Sequence, residues 1–191
     1  MKPFFQGKLD VFCAMYAVLN GLKITHNIGV LPARDILHKT LLHLAAHPDL
    51  FLAVLEQRTD YVALVDGMLS IQCKVRPLHV EQPFPLQTTA PQPSNAQVFD
   101  RCAHWLQKGH KHAVIFRFLR YISPDAPPLN RHWTTAHQVN GDTLHLFDCS
   151  HEPGAIYTIA RTDFVTRTHD IHTNCLLCIE PSTIRFIRST F

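Results

Sequence analysis

The sequence predicts an α+β fold, and three observations carry that prediction. Apolar residues recur at helical spacing through the first third of the chain, the pattern turns to strict alternation from about residue 112, and Asn140-Gly141 marks a hairpin inside the alternating part. Helices first and strands afterwards is the order in which a helical layer lies against one side or end of an antiparallel sheet.

Phe12 to Leu22 reads as the first helix, with Asp10 as its cap and Asn20-Gly21 as its stop, so Cys13 falls in the first turn. Pro32 to Ala46, Leu50 to Gln57 and Tyr61 to Leu69 continue the helical part, which covers residues 1–70. Ile71 to Leu78 alternates and is expected to be a strand, and the prolines of 83–94 mark an extended loop. Asn95 to Lys108 is an amphipathic helix stopped by Gly109. Five strands are expected within 112–191: His112 to Tyr121, Trp133 to Val139, Thr143 to Cys149, Ala155 to Ala160, and Asn174 to Ile187 broken by Pro181.

With 191 residues, 46% of them apolar and 17% charged, the chain has the size and composition of one globular domain. A formal charge of +3 with scattered Lys and Arg argues against a nucleic-acid face, and the longest apolar runs are too short to span a bilayer. The first residues lack a secretory signal, which points to synthesis in the cytoplasm; export by a signal-independent machine would leave the same sequence. The six cysteines have no framework spacing, so free thiols are expected.

Cys13 draws attention because a helix N-terminus favours negative charge, and the thiolate is the nucleophilic form of cysteine. His132 and Asp148 flank the Asn140-Gly141 hairpin. A three-residue loop with a bulge at Gly141 sets His132 directly opposite Asp148 on one face, whereas a two-residue Asn-Gly turn separates their faces. Nucleophile, base and orienting carboxylate would then be available, which is the logic of covalent acyl transfer. Trp133 would point away from His132 into the adjoining layer.

Other clusters rank lower. Cys175 and Cys178 have metal-ligand spacing without a second pair, His43 and His47 lack the glutamate of a zinc protease, and His110 and His112 read as a solvated turn. No metal and no cofactor is expected.

The segments Gln6-Gly7, Asp10 to Ala14, His132-Trp133 and Leu146 to Asp148 resemble the papain-like cysteine peptidases, and among them the bacterial C39-like group. The resemblance covers about a fifth of the chain. It implies a papain-like fold in which the nucleophile helix packs on the sheet, with Cys13 as nucleophile, His132 as base and Asp148 as orienter. It also implies Gln6 as an oxyanion donor, although Gln6 stands one residue further from the cysteine than the family spacing. A protein or peptide substrate follows, cleaved at a peptide or isopeptide bond. The same apparatus would serve a glutamine deamidase or an acyltransferase, and an inactive fold would serve as a binding module. Small size and the absence of a signal or pro-segment raise the further expectation of a bacterial effector or toxin restrained by an immunity protein.

Overall fold

The computed structural model describes residues 1–7, 11–58, 61–86, 92–150, 154–173 and 176–191. Four helices come first, α1 (Cys13–His26), α2 (Val30–Ala45), α3 (Pro48–Leu55) and α4 (Tyr61–Val75), followed by strand β1 (Leu78–Glu81) and helix α5 (Asn95–Gln107). The remaining strands are β2 (His112–Arg120), β3 (Asn130–Asn140), β4 (Thr143–Leu146), β5 (Thr158–Ala160), β6 (Leu177–Ile179) and β7 (Arg185–Ser189). The order across the sheet is β1-β7-β2-β3-β4-β5, and β6 shares an edge of β2 with β7. Every pairing between these strands is antiparallel. Among the described residues no helix is long and apolar enough to cross a membrane.

The expected one-sided helical layer is corrected by the sheet's second cover. Alternate residues of β2 point to opposite faces. Ala113 and Ile115 join Ala14, Val18 and Leu22 of α1, whereas Val114 and Phe116 join Phe99, Cys102 and Leu106 of α5. A strand apolar on both faces reads as a continuous hydrophobic run and needs a layer on each side. Helix α5 supplies the second layer, and its start is set by a capping box between Ser94 and Gln97.

Asn20-Gly21 does not stop α1, which runs on to His26 and ends at Asn27 in the left-handed conformation (φ 51°). Both residues are buried within the helix because each meets a tertiary partner. The Asn20 amide pairs with the backbone of Phe4, accepting from its N–H at 2.7 Å and donating to its carbonyl at 3.1 Å. Gly21 faces the sheet so closely that a Cβ would lie 2.6 Å from Ile187 Cδ1 and 3.1 Å from Ile115 Cδ1. Gly21→Val should therefore lower stability by about 1–3 kcal/mol through overpacking, despite the better helix propensity, as read by urea denaturation.

The strand expected at Ile71 to Leu78 is also corrected: α4 continues through Val75 and the strand begins only at Leu78. Ile71 and Val75 are exposed while Leu69 and Gln72 are buried, so the apparent alternation comes from one helical face turning past solvent. In the Pro-rich stretch 83–94, residues 87–91 lie outside the described residues, and the rest forms neither helix nor strand. Asp10 and Cys175 also lie outside the described residues.

The hairpin register differs from expectation in a way that bears on the site. Asn140 pairs with Thr143, so the turn is the two residues Gly141-Asp142, with Gly141 at φ 53°. From that turn alone, His132 and Asp148 would fall on opposite faces. A bulge between Ala136 and Gln138 inserts His137 as an unpaired residue and shifts the register, so that Ala136 pairs with Leu146. The shift returns the two residues to one face as diagonal neighbours rather than a directly opposed pair. The His137 ring packs tilted against Phe147, centroids 5.4 Å apart, which holds the bulge in place.

Candidate active site

Cys13 is the first residue of α1 and is partly buried where the helix begins. The N-cap residue is Phe12, whose own side chain makes no capping hydrogen bond, and a helix start favours negative charge beside it. Tyr61, at the start of α4, stands close by and donates its hydroxyl to the Val54 carbonyl at 2.8 Å. Burial, with the charge of Cys13 adding to it, pushes the Tyr61 phenol up to about 12, so it remains a neutral wall.

His132 lies near the start of β3, its ring tilted against Phe118 at 5.4 Å, and its side chain is 19% exposed. Nε2 meets Asp148 Oδ1 at 2.8 Å. The Cys149 sulfur lies within 4.8 Å of a ring nitrogen, and the Cys13 thiol is near enough to act on the ring's titration. Burial alone would lower the basicity of this histidine. The hydrogen bond and charge of Asp148, together with the two thiols, outweigh that and hold it well above the usual histidine range.

Asp148 is 2% exposed and is held on three sides. Oδ1 accepts from Thr134 Oγ1 at 2.7 Å as well as facing His132, and Oδ2 accepts from the Ser150 backbone N–H at 3.2 Å. Thr134 follows His132 by two residues on β3, so the strand's period brings both to the same carboxylate.

Gln6 reaches the same place from the N-terminal segment. Its backbone N–H donates to the Cys149 carbonyl at 2.9 Å, and its side-chain Oε1 accepts from Cys149 Sγ at 3.6 Å. Of the residues read from the sequence, His132 and Asp148 are in direct contact, Gln6 meets Cys149 beside Asp148, and Cys13 opens α1 within electrostatic reach of His132. Thr134, Tyr61 and Cys149 were missed. For Thr134 the signal was its even spacing from His132, and for Cys149 its position next to Asp148. Tyr61 left none, because its approach to Cys13 depends on how α4 packs against α1. A shallow cavity of about 70 Å³ adjoins the His132–Asp148 pair and is walled by Phe118, Arg120, Asn130 and Ser150.

His132, Asp148 and Cys149 present ligand atoms within 4.8 Å of one another, a donor set that zinc accepts. The hydrogen bonding argues otherwise. His132 Nε2 and Asp148 Oδ1 point at each other, and both carboxylate oxygens are already engaged, so the donors do not converge on a common point. The other clusters weighed from the sequence lie elsewhere. His43 and His47 are exposed with rings 4.7 Å apart, and Cys178 is buried. His112 is not part of a solvated turn but begins β2 and packs edge-on against Trp105 at 4.9 Å. Trp133 is 1% exposed and lies in the core under α1, on the face away from His132.

Comparison of the chain with protein-family models, with curated proteins and with solved structures finds no match. The functional reading therefore rests on the site's own geometry.

Proposed function

We propose that this chain is a papain-like cysteine hydrolase that cleaves a peptide or isopeptide bond through an acyl-enzyme on Cys13. The observation that carries this reading is an imidazole paired with a buried carboxylate, with a cysteine that opens a helix near enough to act on its titration, the three groups coming from separate segments.

His132 takes the thiol proton and the Asp148 charge stabilises the imidazolium. The Cys13 sulfur attacks the carbonyl carbon, and the tetrahedral oxygen takes hydrogen bonds from the Cys13 backbone N–H and the Gln6 side-chain amide. His132 then protonates the leaving amine. Water, giving its proton to His132, attacks the thioester, and the carboxylate product leaves as Cys13 regains its proton.

The test is alkylation by iodoacetamide, resolved by peptide mass spectrometry at about pH 6, below the range where ordinary thiols react. Cys73 provides an internal reference, because burial of its sulfur pushes that thiol up. Cys13 should label well ahead of Cys73, and His132→Ala should slow Cys13 at least about tenfold while leaving Cys73 unchanged. Equal labelling of Cys13 with and without His132 would sink the reading.

A further inference from the structure

Cys149 lies where the N-terminal segment and the base meet. Its backbone carbonyl accepts from Gln6 N–H at 2.9 Å, its thiol lies 3.6 Å from Gln6 Oε1, and the same sulfur is within 4.8 Å of a His132 ring nitrogen. The residue is 1% exposed. Burial, the largest influence on this thiol, raises it, and the His132 charge does not reverse the direction, so Cys149 keeps its proton and does not compete with Cys13 as a nucleophile.

The direction of the proton follows from the partners. A protonated imidazole can only donate, so toward His132 the Cys149 sulfur acts as acceptor. Its own S–H is then directed to an acceptor, and Gln6 Oε1 is in reach. An amide whose oxygen is held by a donor presents its NH₂ on the other side, which is the group an oxyanion requires.

We propose that Cys149 is a positioning residue that orients the Gln6 side-chain amide toward the oxyanion, a role that rests on the hydrolase reading above. The segment bearing Gln6 is docked independently of this thiol, through the Asn20 amide on Phe4 and through the Cys149 backbone carbonyl. Substituting the Cys149 side chain therefore removes the orienting contact and leaves the docking in place.

The experiment is steady-state hydrolysis of 4-nitrophenyl acetate by the full chain, with Cys13 alkylation measured in parallel. Cys149→Ala should lower kcat about tenfold with KM within about twofold, and Cys149→Ser, whose hydroxyl is the stronger donor, should restore it. Gln6→Ala should cost about 10²-fold, and Gln6→Ala with Cys149→Ala no more than Gln6→Ala alone, because the second residue acts through the first. Alkylation forms no oxyanion, so in Cys149→Ala it should fall by clearly less than turnover does.

Unchanged turnover in Cys149→Ala, losses that multiply in the double variant, or an alkylation loss equal to the turnover loss would each overturn the role. If the wild type turns over no more ester than Cys13→Ala, the hydrolase reading fails and this role falls with it. An active wild type with an indifferent Cys149 overturns the positioning role alone.

Discussion

Cys13→Ala is expected to abolish acyl transfer, lowering kcat/KM by at least about 10⁴-fold while the fold remains intact. The loss is large because His132 and Asp148 act on the substrate through the thiol, and without it no covalent intermediate forms. Cys13 is only partly buried at the rim of the core, so losing its sulfur should cost no more than about 1 kcal/mol. Cys13→Ser should be nearly as inactive, since a hydroxyl is far harder to deprotonate than a thiol. A urea melt alongside the assay separates the two effects. A Cys13→Ala protein that folds and still hydrolyses would exclude acyl-enzyme chemistry at this position.

Removing the carboxylate is expected to damage both stability and turnover. Asp148 is buried and answers the His132 ring, the Thr134 hydroxyl and the Ser150 amide, so Asp148→Ala takes one acceptor from each of three polar groups. Breaking a buried pair of this kind should cost about 2–4 kcal/mol. The cost should depend on pH. His132 is raised in the folded state by this carboxylate, so its contribution is present in full below the unfolded value of about 6.5 and is lost as pH rises through the folded value. The gap between wild type and Asp148→Ala in urea denaturation should therefore be widest below about pH 6.5 and narrow in alkali. A gap that widens with pH would mean that the carboxylate does not favour the imidazolium.

Asp148→Asn tests orientation more finely. The Ser150 N–H requires an oxygen acceptor whereas the Thr134 hydroxyl can accept as well as donate, so an asparagine that satisfies Ser150 turns its NH₂ toward His132 and Thr134. Facing a donor, Nε2 would become the acceptor and Nδ1 would carry the proton, which is the wrong tautomer for a base acting on Cys13. Turnover should fall about 10³-fold or more with a smaller loss of stability than in the alanine variant.

Parts of this site were legible in the residues. Cys13 stands at the opening of an apolar run with helical spacing, and α1 does begin there. His132 and Asp148 sit in alternating runs on either side of a turn, and the runs pair as β3 and β4, although β4 ends at Leu146 and Asp148 follows it instead of lying within the expected strand to Cys149. The alternation also placed Trp133 on the face away from His132, where it is found. These are local properties, set by the 3.6- and 2-residue periods of the backbone and readable from neighbours a few positions apart.

The same local reading failed where a tertiary partner overrode it. Asn20-Gly21 has the form of a helix stop, yet Asn20 is held by the Phe4 backbone and Gly21 by the close approach of the sheet, so α1 continues past both. The Ile71 to Leu78 alternation belongs mostly to a helix because burial at Leu69 and Gln72 decided the period.

By itself, then, the sequence determined the α+β class, the helix that carries Cys13 and the hairpin that carries His132 and Asp148. The tertiary structure alone decided that His137 would bulge and restore those two residues to one face, that α5 would cover the far side of the sheet, and that Gln6 and Cys149 would meet beside the base. Register and docking are set by contacts between segments far apart in the chain, and the free energy of those contacts appears only when the sheet has closed and its two cores are packed.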